Sequence, residues 1–186
     1  MTLPRYGTNL PKYAPVNDGP ELEKRPAAPK VELTDGGPVT ADHRELKANG
    51  QQKGYVVLSP EERAEGFVRP VRHSYRHVGA AGPNHPLRDL TEEERERYTK
   101  FGYVKFEAYP EDGSAVTGMF WTQARLDAVG KGCGTVTTMG LALAETYARD
   151  PRFYGATFCC GCGTHLPVGE RGEFVWEDAP YERVGT

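Results

Sequence analysis

The sequence predicts an α+β fold of short helices and antiparallel β-hairpins, preceded by an extended proline-rich arm. Three observations carry this. Prolines 4, 11, 15, 20, 26, 29 and 38 interrupt the first 52 residues, so no helix or strand can run far there. From residue 54 onward, capping signals and alternating apolar residues occur in short runs separated by glycines. The apolar content is thin: 12 Leu, 15 Val and 7 Phe in 186 residues, with no isoleucine. The boundary between arm and domain is placed at residues 53 and 54.

Net charge is −3, from 23 basic and 26 acidic residues, which argues against a whole-protein electrostatic grip on nucleic acid or an acidic membrane. The longest apolar run, near residues 139–144, is too short to span a bilayer. The opening MTLPRYGTNLPKY has no apolar core of a signal peptide, so secretion by that route is not expected.

In the arm the charges balance, seven basic against seven acidic, and large apolar residues are sparse. The plain reading is a disordered tail; the sharper one is an arm that orders along a partner, with Leu3, Tyr6, Leu10 and Tyr13 spaced as a partner's groove could take them one at a time. Thr40 and Asn49-Gly50 bracket a short predicted helix over residues 41–48.

In the domain, residues 55–58 (YVVL) read as a strand. Ser59-Pro60-Glu61-Glu62 reads as a helix start, with Ser as N-cap, Pro in the first turn and Glu62 closing a capping box. Residues 67–78 are extended and basic. Thr91 and Glu94 frame a second capping box, opening a helix to about residue 100 that Gly102 stops. Residues 103–109 alternate as a half-buried strand, residues 110–114 are turn chemistry, and residues 115–121 return as the hairpin partner. Thr122 caps a short helix, and Thr137 or Thr138 caps a longer one over residues 139–149. Its apolar stripe is Leu141, Ala144, Tyr147 and Ala148. Residues 152–158, 164–168 and 173–176 read as a three-stranded meander with cysteines at one tip. Trp121 and Trp176 fall on strands and are expected in the core.

That tip is Cys159-Cys160-Gly161-Cys162-Gly163. A C-x-x-C-G turn sets two thiolates on one side of a hairpin, and glycine frees backbone amides to approach the sulfurs. Cys133 sits in another Gly-Cys-Gly turn, and His165 follows Cys162 by three residues. Cys133, Cys159, Cys162 and His165 therefore form the expected Cys₃His site for a structural zinc, giving a zinc-ribbon-like C-terminal tip. His77 is the main substitute for the fourth place, with His73 and His85 behind it. Cys160 points away from Cys159 along a pleated strand and is left out. Free thiols, redox use and a catalytic cysteine are the alternatives. A metal crosslink also answers the poverty of the core, because its binding energy is folding energy.

Arg69, Arg72 and Arg76, with His73, Tyr75 and His77, form a basic and aromatic stretch. Arg72 and Arg76 are candidates for contact with a partner; the plainer alternative is bridging to the acidic helix start at residues 92–96. The chain has no G-x-S-x-G, P-loop, H-E-x-x-H or dinucleotide fingerprint. The best enzyme case is Cys133 as nucleophile with His77 or His165 as base, and it competes with zinc for the same residues.

The runs GCGTVTTM, LALAETYARDPRFYGATFCCGCGTHLPVGE and EFVW in residues 132–176, with YRHVG and PLRDLTEEE in residues 75–94, resemble small uncharacterised proteins of tailed phages and prophages. The resemblance implies a viral origin, placing the protein in the virion or the host cytoplasm. It carries no activity and no catalytic residue. The expectation is a non-enzymatic, zinc-stabilised phage structural or accessory protein whose arm binds a protein partner, a capsid or other virion subunit. A zinc-ribbon nucleic-acid binder and a Cys/His enzyme are the rivals.

Overall fold

The computed structural model describes residues 28–111 and 115–186, together an α+β architecture of four short α-helices and antiparallel sheets. The partner contacts expected at Leu3, Tyr6, Leu10 and Tyr13, and residues 112–114 of the hairpin turn, lie outside the described residues. No helix among the described residues is long and apolar enough to cross a membrane.

The chain enters with β1 (Val31–Leu33), antiparallel to β2 (Val56–Leu58) in the register Val31–Leu58. The sequence boundary at residue 53 therefore runs through a paired unit. Leu33, Val57 and Leu58 are buried by that pairing, which ties residues 28–53 to the domain. The helix expected over residues 41–48 is replaced by turns and a tight return. Asn49 Oδ1 accepts from Gln51 N, and Lys47 N donates to Gln51 O at 2.8 Å. Lys53 N and Gly54 N then bond Glu45 O and His43 O, so these amides go across the return instead of four residues back.

Ser59 caps α1 (Pro60–Ala64) as read, accepting from Glu62 N. Glu62 does not complete the box, because its carboxylate accepts from Lys30 N and anchors β1 instead. The second box, at α2 (Glu92–Tyr98), is complete on both sides, and a 3₁₀ turn over Thr99–Phe101 ends at left-handed Gly102.

Strand β3 (Ser74–His77) is central to the larger half of the molecule. It pairs with β7 (Val136–Thr138) on one side and β10 (Phe174–Trp176) on the other, all antiparallel. The predicted meander is thus cut short: β8 (Ala156–Cys159) pairs with β9 (Thr164–Pro167), but β10 leaves them for β3. All three β10 residues are buried in this position beside β3. Thr137 and Thr138 are spent in β7, so Gly140 takes the N-cap of α4 (Leu141–Arg149). Ala144, Tyr147 and Ala148 face the core as predicted; Leu141, at the first turn, is exposed.

A second sheet, β4 (Leu87–Asp89), β5 (Tyr103–Glu111) and β6 (Ala115–Thr122), contains the predicted hairpin, followed by α3 (Gln123–Asp127) capped by Thr122. Trp121 and Trp176 are both buried, in the second and first sheets respectively.

Candidate metal centre

Two loops and a strand end meet at one end of the β10-β3-β7 sheet. His77 closes β3, Cys133 lies in the loop before β7, and Cys159 and Cys162 flank the β8–β9 tip. His77 Nδ1 is 3.3 Å from Cys133 Sγ, 3.4 Å from Cys162 Sγ and 3.7 Å from Cys159 Sγ. Cys133 and Cys159 sulfurs are 3.5 Å apart, and all four ligand atoms lie within 4.8 Å of one another. A tetrahedral zinc with sulfur at about 2.3 Å and nitrogen at about 2.0 Å needs ligand-to-ligand edges of about 3.5–3.8 Å. The donor set fits that polyhedron, with His77 and Cys159 on the buried side and Cys133 and Cys162 toward solvent.

The tip must be glycine-rich for a steric reason. A Cβ on Gly161 would stand 2.2 Å from Thr135 Oγ1 and 2.8 Å from Cys133 Sγ. Only a bare backbone lets the knuckle approach the Cys133 loop this closely.

His77 is oriented from both ends. Its Nε2 lies 3.0 Å from Glu173 Oε2, and Cys133 N donates to its Nδ1 at 3.2 Å. This arrangement puts the ring proton on Nε2, toward the carboxylate, and leaves Nδ1 as the acceptor, with a lone pair that a bound metal would take over from Cys133 N. Hydrogen bonds from the Thr135 side chain and backbone hold the Cys133 thiol down to about 6, while burial and the neighbouring thiols push Cys162 up to about 12. The protein surroundings favour one thiolate and oppose a second. A divalent cation held here would supply positive charge that favours thiolate ligands.

His165 is not in the set. It pairs across the hairpin with Phe158, whereas Cys159 pairs with Thr164, so the pleat puts the imidazole on the other face. Its Nε2 lies 3.1 Å from Tyr55 Oη, its ring packs on Phe158 at 5.3 Å, and burial lowers its pKa. His77, named as substitute, holds the fourth corner. His85 packs its ring on Tyr109, and Met139 N donates to the backbone carbonyl of His73.

Arg72 and Arg76 are engaged within the molecule. Arg72 reaches Glu182 at 2.5 Å and Asp178 at 3.1 Å, and Arg76 grips Glu177 with two nitrogens at 2.6 and 3.1 Å. Their carboxylates come from the C-terminal segment, not from the helix start at residues 92–96, because β10 carries that segment alongside β3.

Two acidic residues of importance were missed in the sequence. Glu173, just before β10, had no local signal; its role depends on β10 pairing with β3. Glu107 is fully buried in β5. Its carboxylate accepts from Asn84 N, His85 N, Trp121 Nε1 and Arg171. Burial pushes its pKa up, but Arg171, Trp121 and the two amides outweigh that and hold it at about 2.

Comparison with family models, curated proteins and solved structures finds no match to this chain.

Proposed function

We propose that the centre is a structural zinc site, and that the chain is a non-enzymatic, zinc-stabilised attachment protein of a tailed phage or prophage. It binds a virion protein, a capsid or other subunit, through its proline-rich N-terminal segment. The observation that supports the zinc is the convergence of one nitrogen and three sulfurs within 4.8 Å of one another, with Glu173 behind the imidazole. Four protein ligands fill the coordination sphere, as in structural sites, where catalytic sites keep a position open for water or substrate. The attachment role rests on the sequence: the first 27 residues hold five prolines and too few large apolar residues for a core of their own, so a partner's surface would supply their order. The phage context rests on the resemblance alone.

A second reading has one observation in its favour. Cys133 Sγ, His77 and Glu173 line up as nucleophile, base and orienting carboxylate, at 3.3 and 3.0 Å. Two further sulfurs crowd the same Nδ1, which a nucleophile pair does not need. The nucleic-acid reading loses Arg72 and Arg76 to internal carboxylates.

Elemental analysis of purified protein separates these readings. About one zinc per chain is expected, with thiols protected from alkylation until chelator is added; less than about half an equivalent rejects the site. Deleting residues 1–27, which leaves β1 intact, should keep the domain folded while abolishing co-sedimentation with assembled particles. Retained attachment would reject the arm's role.

A further inference from the structure

An open cleft of about 380 Å³ lies between the return at residues 43–52 and the β8–β9 hairpin. His43, Arg44 and His165 line it beside Tyr55, Phe153 and Tyr154, and no Asp or Glu among the described residues does. The chain as a whole carries a net charge of −3, so an opening with one arginine, two imidazoles and no carboxylate stands apart from the rest of its surface.

The return fixes where the basic groups stand. Gly54 N donates to His43 O and Lys53 N to Glu45 O, so Arg44 sits on backbone bonded at both neighbours. Its guanidinium has no hydrogen bond or ion pair among the described residues; Asp42, two residues before it, is taken by Lys53. His43 Nδ1 donates to Thr40 O at 2.5 Å, which leaves Nε2 without a partner. Tyr55 Oη accepts from Gln52 N at 3.4 Å and has His165 Nε2, at 3.1 Å, as the acceptor for its own proton. Burial raises the Tyr55 phenol and lowers the His165 imidazole, so the phenol keeps its proton and the ring stays neutral. The ring proton of His165 then lies on Nδ1, a donor with no partner among the described residues. Phe153 and Tyr154, edge to face at 4.7 Å, give the cleft an aromatic wall.

We propose that this cleft binds a small aromatic phosphate of nucleoside-monophosphate size, with its ring on the Phe153 and Tyr154 wall and its phosphate on Arg44, His43 and His165. The guanidinium fork matches two phosphate oxygens, and His165 Nδ1 donates to a third. His43 Nε2 selects phosphate over carboxylate. A phosphate monoester keeps a second proton with a pKa of about 6, and that proton can be shared with the free ring nitrogen; a carboxylate has none to share near neutral pH. The aromatic wall stacks on a flat ring, and the volume falls within the roughly 300–1,000 Å³ of small-molecule sites. None of the four zinc candidates lines the cleft, so the site is tested on the metal-loaded full chain.

The probes are AMP, phenyl phosphate, benzoate, adenosine and inorganic phosphate, followed through amide chemical shifts of the lining residues and through titration calorimetry. AMP and phenyl phosphate should bind saturably with a Kd of about 1 mM or tighter. Adenosine, benzoate and inorganic phosphate, each lacking one half of the match, should be at least about tenfold weaker. Arg44 is exposed and unpaired, so Arg44→Gln should fold, and it should weaken AMP about tenfold while leaving adenosine unchanged. Arg152 is exposed but does not line the cleft, so Arg152→Gln should leave AMP binding as it is. No saturable shift with either aromatic phosphate up to about 10 mM would overturn the proposal. So would inorganic phosphate, benzoate or adenosine binding as tightly as AMP, an Arg44→Gln protein with unchanged affinity, or an equal loss in Arg152→Gln. The last of these would mean that general surface charge holds the anion.

Discussion

The surroundings of Cys159 and those of Trp121 solve one problem with opposite chemistry. The β10-β3-β7 half has an apolar core of Tyr75, Tyr147, Phe174, Trp176 and Val184, and at its edge a cluster of three sulfurs and an imidazole. The β4-β5-β6 half has a smaller aromatic group, with Phe120 touching Tyr98, Tyr103 and Phe106 at 4.5–5.6 Å, and a buried carboxylate at its seam. Neither half has enough aliphatic surface to close by packing alone. Each adds a polar clamp that joins distant segments: Cys133 to His77 and Cys159 in the first, Glu107 to Arg171 and Trp121 in the second. The clamps differ in what completes them. The carboxylate finds all its partners within the chain. On the proposed reading the thiols take up an external cation, so only the first half should answer to chelators.

The largest effect should come from breaking the sulfur clamp. Cys162→Ser, or chelation of the wild type, should lower stability by several kcal/mol, on the order of 5. Denaturant unfolding with and without chelator measures it. His77→Ala should lose the zinc and His165→Ala should keep it; the reverse result would restore the ligand set first read from the sequence.

Breaking the second clamp should be nearly as costly. Glu107→Leu strands Arg171, Trp121 Nε1 and two amides, with an expected loss of about 3–5 kcal/mol. Zinc content should not change, and a parallel loss of metal would mean the halves are not separable. The carboxylate also gives this clamp a pH signature. Its folded pKa, about 2, is depressed below the ordinary value of 4.5. Its contribution is therefore full above the unfolded pKa and is lost as pH falls through about 4.5 toward 2. The stability difference between wild type and Glu107→Gln should shrink over that range; a constant difference would contradict the pairing.

Glu173→Gln sharpens the first clamp without breaking it. Metal affinity should drop about 10- to 100-fold with the fold retained, as read in a chelator competition. The smallest effect is expected at Arg76, whose ion pair with Glu177 is about two-fifths exposed on each side. Arg76→Ala should cost less than about 1 kcal/mol, and a larger loss in thermal unfolding would show that the C-terminal segment depends on it.

What sequence determined by itself was local. The caps at Ser59, Thr91 and Thr122, the β5–β6 hairpin and the C-x-x-C-G tip each have their hydrogen-bond partners within a few residues or across one turn. Three of the four zinc candidates belong to that class, because glycine-flanked cysteines announce their turns. The exclusion of His165 was also present in the pattern, since strand parity sets it opposite Cys159. Tertiary structure alone decided the pairings between distant segments. Val31–Leu33 could join β2 only once residues 43–54 had turned back, and β10 pairs with β3, about a hundred residues away, and not with its neighbour β9. His77 and Cys133 are 56 residues apart, and Glu107 and Arg171 are 64 apart. Local propensity is the same for either strand order. The choice falls to which arrangement buries Phe174, Trp121 and Glu107 with the indole N–H and the carboxylate partnered, and that depends on surfaces which exist only after the chain has folded.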